Sequence, residues 1–267
     1  MKKNLFYTTV FITILHLCFY YIPFSTPLTS YVRIIAHRGD STHAPENTIP
    51  AIMSAINNKA DCIELDVRCT KDGIPIVFHD ATLLRLTGVK AEVSNLTYRE
   101  ITSYPLLYAN AFSSYPQTTT CSLEDVLLLV KKHPGLCLHL ELKASGTEEK
   151  VVSLLQKYDS VCCYKISSTD PSILQTIHRI APSLKTTLVL TSAGDVIKYC
   201  TQPPETIDSI SVKSRFVTSP LIHLAHRRGH KIYAWTVNEP PSARRLIRIG
   251  IDGLITDDPS LLHRTLS

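Results

Sequence analysis

Short apolar runs recur along the chain, separated by polar or glycine-bearing text. Runs at 32–36, 62–67, 75–79, 136–142, 161–166, 186–190, 208–212, 231–236 and 253–256 read as β-strands by length and composition. Between many of them apolar residues fall at helical spacing, over 48–57, 122–132 and 148–158. Ser122 followed by Asp125 has the form of a capping box at the start of the second helix. Alternation of strands and helices predicts an α/β chain with a parallel sheet. If the sheet closes as an eight-stranded barrel, nine strands are one too many, and we take 208–212 as the extra one. The link 68–74 is too short for a helical crossover, which needs about a dozen residues. Fully extended it still spans about 23 Å, enough to return beside a short strand.

At 267 residues the chain fits one large α/β domain over 31–267, with an irregular insertion at about 81–120. Within that insertion, 98–120 has two prolines, several tyrosines and no clear period. The formal charge of +5 allows attraction to anionic substrates or membrane surfaces and demands neither. No basic tract with interleaved aromatics is present, so nucleic acid is not an expected partner. Lys2-Lys3 precedes an apolar run over 5–22, so residues 1–30 read as a signal peptide or membrane anchor. The expected location is therefore exported (periplasmic or extracellular) or membrane-anchored, and membrane association would run through this segment.

Eight cysteines are present, one of them in the leader. Cys62, Cys137 and Cys162 sit in apolar strand-like runs, where a small buried thiol is the commonest reading. Cys121, Cys163 and Cys200 are the candidates for any disulfide. No C-x-x-C pair gives a zinc signature.

The chemistry concentrates in 34–80. Glu64 and Asp66 lie two apart in a strand, hence on one face, where two carboxylates at neutral pH call for a cation or a proton. A hard divalent ion held by oxygens answers that need. His37 and His79 can exchange protons near pH 7, and Arg38 offers a planar fork suited to phosphate. Together these parts suggest metal-assisted phosphoryl chemistry.

The segments Ala36-His37-Arg38-Gly39, Pro45-Glu46-Asn47-Thr48, Glu64-Leu65-Asp66-Val67, Thr70-Lys71-Asp72-Gly73 and His79-Asp80 stand in a fixed order. Leu140-Glu141-Leu142-Lys143, Trp235-Thr236-Val237-Asn238 and the closing text from Gly250 to Pro259 follow. This order resembles the glycerophosphodiester phosphodiesterase family, within the phospholipase-C-like barrel superfamily, over roughly residues 32–259. The resemblance implies a (β/α)₈ TIM barrel with its site at the strand C-termini and a small insertion after the third strand. It also implies a metal site of Glu64, Asp66 and Glu141, taking Ca²⁺ or Mg²⁺. His37 and His79 would be the general acid and base, in an order the sequence leaves open. Arg38 and Lys143 would hold the phosphate and Trp235 would line the substrate pocket. Glu46 and Asn47 are read as ordering their loop and capping the next helix, and Asp80 either orients His79 or makes a turn. His43, His139, His223, His226 and His230 are read as surface or packing residues.

The implied activity is metal-dependent hydrolysis of small-molecule glycerophosphodiesters to glycerol 3-phosphate and an alcohol. The alternatives are a phosphodiesterase of the same superfamily acting on phospholipid or lysophospholipid, or a catalytically silent barrel used for binding.

Overall fold

Strand β1 (Arg33–His37) pairs in parallel with both β2 (Cys62–Cys69) and the last strand, β9 (Gly253–Thr256), and this closes the sheet into a barrel. The computed structural model describes residues 31–107, 112, 115, 118–158 and 163–266. The expected leader over 1–30, with Cys18, and the expected start of a strand at 161–162, with Cys162, lie outside those residues. From β2 the parallel ladder runs through β4 (Cys137–Leu142), β5 (Cys163–Ser168), β6 (Lys185–Leu190), β7 (Ser209–Lys213) and β8 (Lys231–Trp235) to β9. The chain is a (β/α)₈ barrel.

The ninth strand is not the one expected. β7 is an ordinary barrel strand, parallel to both neighbours. The extra one is β3 (Pro75–Val77), which hangs on β2 in the antiparallel sense with Val67 opposite Val77. The short 68–74 link decides this: without room for a crossover helix, a returning chain can only run antiparallel. Asp72-Gly73 makes the turn, with Gly73 at φ +78°.

Period-two alternation sorts each strand into an inner and an outer face. In β2, Ile63, Leu65 and Val67 join the main core beneath the helices, and in β4 Leu138, Leu140 and Leu142 do the same. Cys62, Glu64 and Asp66, and likewise Cys137, His139 and Glu141, therefore face the barrel interior. The helices pack their apolar stripes on the outer face. Ser122 caps Leu123–Val130 through a complete capping box with Asp125, and Thr48 caps Ile49–Asn57. Neither Glu46 nor Asn47 is that cap, which corrects part of the reading above; one residue further on, the Thr48 hydroxyl reaches the first-turn amide of Ala51.

Between β3 and the Leu123–Val130 helix the chain makes an excursion containing the short helices Leu84–Thr87 and Tyr98–Thr102 and the turn Val93–Asn95. It is built around its own small core of Ile76, Phe78, Leu83, Leu86, Val93, Ile101 and Leu106. Thr97 and Glu100 form a capping box at the start of Tyr98–Thr102, so a helical turn stands where the apolar pattern showed no period.

Candidate active site

At the C-terminal ends of the strands, one cleft of about 160 Å³ is lined by all eight residues singled out in the sequence: His37, Arg38, Glu64, Asp66, His79, Glu141, Lys143 and Trp235. His37 is the last residue of β1, and Arg38 follows at φ +57°. Such a backbone is unusual for a residue with a side chain. It turns the Arg38 amide onto Glu64 Oε2 at 3.1 Å. The next residue has to be glycine, because a Cβ on Gly39 would stand 2.7 Å from the backbone of Ala51.

Glu64, Asp66 and Glu141 bring carboxylate oxygens within 4.8 Å of one another. Glu64 and Asp66 are almost wholly buried, at 5% and 1% exposure. Burial, and then the Asp66 charge, push the Glu64 carboxyl up to about 8. Asp66 goes the other way. Burial would raise it, but Lys143 and Arg38 outweigh that and hold it at about 2. Lys143 Nζ lies 2.9 Å from Asp66 Oδ1 and 2.6 Å from Glu141 Oε1, while Arg38 Nε is 3.3 Å from Asp66 Oδ2. Three converging acids thus share two cations and still leave one carboxyl that favours its neutral form. The all-oxygen donor set and the surplus of negative charge fit a hard divalent ion.

Each histidine is held through Nδ1 by a carboxylate: His37 by Asp257 at 2.6 Å and His79 by Asp80 at 2.7 Å. A carboxylate accepts, so Nδ1 carries the proton and Nε2 is the nitrogen left for proton traffic. Burial alone would lower the His37 pKa, but the Asp257 hydrogen bond and the Glu64 charge raise it above the ordinary value. Asp80 does orient His79, and it belongs to a longer chain of ion pairs. Arg38 meets Glu46 at 2.7 Å, Glu46 meets Arg85 at 2.7 Å, and Arg85 meets Asp80 at 2.6 Å.

Asp257, Asn47 and Arg85 are the partners that sequence reasoning did not assign. Asp257 lies in the closing Thr256-Asp257-Asp258-Pro259 text, where nothing local signals a partner 220 residues away. Asn47 clamps Asp66 twice, donating from Nδ2 to Oδ2 at 2.9 Å and accepting the Asp66 amide at 3.1 Å. The cleft also has a hydroxyl-bearing wall with Ser167, Thr169, Thr187, Thr191 and Ser211. In β7 the alternation of serine with apolar residues carried part of that signal. Trp235 lines the same cleft, and its buried Nε1 has no hydrogen-bond partner among the described residues.

The profile of the glycerophosphoryl diester phosphodiesterase family matches residues 37–261. The chain belongs to that family. It is a phosphodiesterase by that membership. A glycerophosphodiester phosphodiesterase of Caldanaerobacter subterraneus is 32% identical, over 86% of this chain and 95% of the relative. One from Bacillus altitudinis is 33% identical, over 85% and 95%. Among solved structures, an Oleispira antarctica phosphodiesterase in complex with the product sn-glycerol-3-phosphate superposes with a TM-score of 0.78. It is 24% identical, covering 88% of this chain and 96% of that one, and shows the shared barrel.

Proposed function

We propose that the cleft hydrolyses a glycerophosphodiester to glycerol 3-phosphate and an alcohol, with a divalent ion held by Glu64, Asp66 and Glu141. The observation that carries this reading is the three-carboxylate cluster flanked by two carboxylate-held imidazoles. Calcium or magnesium suits the all-oxygen donors. When bound, the ion would supply Lewis-acid polarisation of a phosphoryl oxygen.

The chain's own residues do the rest. Arg38 and Lys143 offer guanidinium and ammonium donors to the phosphate oxygens. One imidazole takes a proton at Nε2 from the attacking hydroxyl or water, and the other gives one to the departing alkoxide. Asp257 and Asp80 fix the tautomer and stabilise each ring when it is charged. The Ser and Thr wall suits the hydroxyls of a glycerol unit, and Trp235 gives an apolar face with one free donor. Lys2-Lys3 and the apolar run behind it support export or anchoring, so the substrate would be met outside the cytoplasm or at a membrane surface.

The test is release of glycerol 3-phosphate from glycerophosphocholine by the purified protein, with Ca²⁺, Mg²⁺ or EDTA. Release that EDTA stops and either metal restores is expected, and Glu64→Ala or His37→Ala should abolish it in a folded protein. No release with either metal would overturn the reading. Choline release from lysophosphatidylcholine alone would transfer the activity to lysolipids.

A further inference from the structure

One layer beneath the carboxylates, the barrel interior holds sulfur. Strand register sets Cys62 beside Cys137 and Cys137 beside Cys163. Each lies an even number of residues before an inward-facing site position, so all three share the inner face. His139, two residues along β4, completes the group. Ligand atoms of Cys62, Cys137 and His139 all lie within 4.8 Å of one another. These three residues are buried, and His139 Nε2 finds no hydrogen-bond partner among the described residues. The His139 ring meets Tyr233 edge-on, with centroids 5.4 Å apart. Barrel interiors are ordinarily filled by branched aliphatic side chains. Two thiols and an imidazole with one orphaned nitrogen in such a place need a reason.

We propose that Cys62, Cys137 and His139 form a second metal site, for a thiophilic ion such as Zn²⁺. The carboxylate cluster offers only oxygen and suits hard ions; this cluster offers sulfur and nitrogen and suits soft or borderline ones. The two sites therefore sort ions by hardness within one barrel. Zn²⁺ entering between Cys62 and Cys137 displaces their two thiol protons to solvent, so two thiolates balance the ion and the interior gains no net charge. Cys163 is exposed and marks the route in from the N-terminal mouth of the barrel. Arg33 borders the same layer, its Nη1 3.8 Å from Cys62 Sγ. Lys165 is a second cation in the same layer, bonded to the Tyr233 hydroxyl. The missing C-x-x-C signature is explained too: these ligands are neighbours through strand register, not along the sequence.

The test uses the full chain, reduced, with Mg²⁺ in excess and Co²⁺ as the probe. Sulfur-to-cobalt charge-transfer absorption and intense tetrahedral bands are expected at one equivalent, displaced by Zn²⁺. The bands should be lost in Cys62→Ser/Cys137→Ser and retained in Glu141→Gln. Should the double variant misfold, X-ray absorption of the zinc-loaded wild type decides. A sulfur shell at roughly 2.3 Å supports the site, and a shell of oxygen or nitrogen alone at roughly 2.0–2.1 Å overturns it. Cobalt bands that depend on Glu141 and ignore Cys62 and Cys137 would also overturn it. Because the readout is spectroscopic and thiolate-specific, its failure is distinct from a failure of the proposed hydrolysis.

Discussion

Asp257 Oδ1 stands 2.6 Å from His37 Nδ1, across the seam where β9 closes the barrel against β1. Asp257 is itself held by Asn238 Nδ2 at 2.6 Å and by Ser41 Oγ at 3.1 Å, so the imidazole is anchored by a braced carboxylate. Asp257→Asn removes the charge and can present the wrong hydrogen-bonding group to Nδ1. We expect kcat to fall on the order of 10²-fold or more. The Asp257 bond raises the His37 pKa, so the pH–rate limb belonging to His37 should move to lower pH in the variant. An unmoved limb would assign Asp257 a purely structural role.

The Glu64 carboxyl gives stability a sign. Its folded-state pKa, about 8, is above its ordinary 4.5, so between these values the folded chain holds a proton that the unfolded chain releases. Stability of the metal-free protein should therefore fall as pH rises through that window. His37 adds to the same trend, since its raised pKa contributes stability below its unfolded value that is lost at higher pH. Thermal unfolding in EDTA across this range should show the decline, and Glu64→Gln should flatten it. Saturating Ca²⁺ or Mg²⁺ should reverse the trend, because metal binding favours the ionised carboxylate. Equal pH slopes in wild type and Glu64→Gln would contradict the assignment.

Asn47 adopts φ +57° while making two hydrogen bonds to Asp66. Asn47→Ala loses both bonds and leaves a Cβ in the left-handed region. Asn47→Gly loses the bonds and relieves the backbone. We expect Ala to be the less stable, each variant losing about 1–3 kcal/mol for the buried bonds alone, with weaker metal binding in both. Denaturant titration and metal titration read the two effects separately. Metal affinity unchanged in both would show that Asn47 does not position Asp66.

Ser122→Ala should cost about 1 kcal/mol by removing the capping box of Leu123–Val130. This helix end does not line the cleft, so kcat/KM should stay at the wild-type value. A lowered kcat/KM in the folded variant would count against that separation.

Much of the architecture was legible because both periodicities survive in the text. Glu64 and Asp66 two apart in an apolar strand announced an inward acidic face, and Ser122 with Asp125 announced a helix start. What misled was the count of strands. β3 and β7 are both short runs, and the length of the 68–74 link is what distinguishes the antiparallel hairpin from a barrel strand. The site's ends were legible, and of its braces only Asp80 was. His37 and Glu141 stand in ordered motifs, whereas Asp257 and Arg85 act through contacts that only barrel closure and the excursion create. The thiol layer was illegible for the same reason, since nothing along the chain tells that Cys62 and Cys137 share a register.

The hairpin at β3 has a further consequence. His37 ends a strand clasped on both sides by the barrel, whereas His79 follows β3, at the threshold of an excursion with its own small core. One proton-handling group is thus built into the frame and the other into an outrigger. Sequence drift in the outrigger can reshape the approach to the phosphate, and retune one of the two imidazoles, without altering a residue of the eight parallel strands.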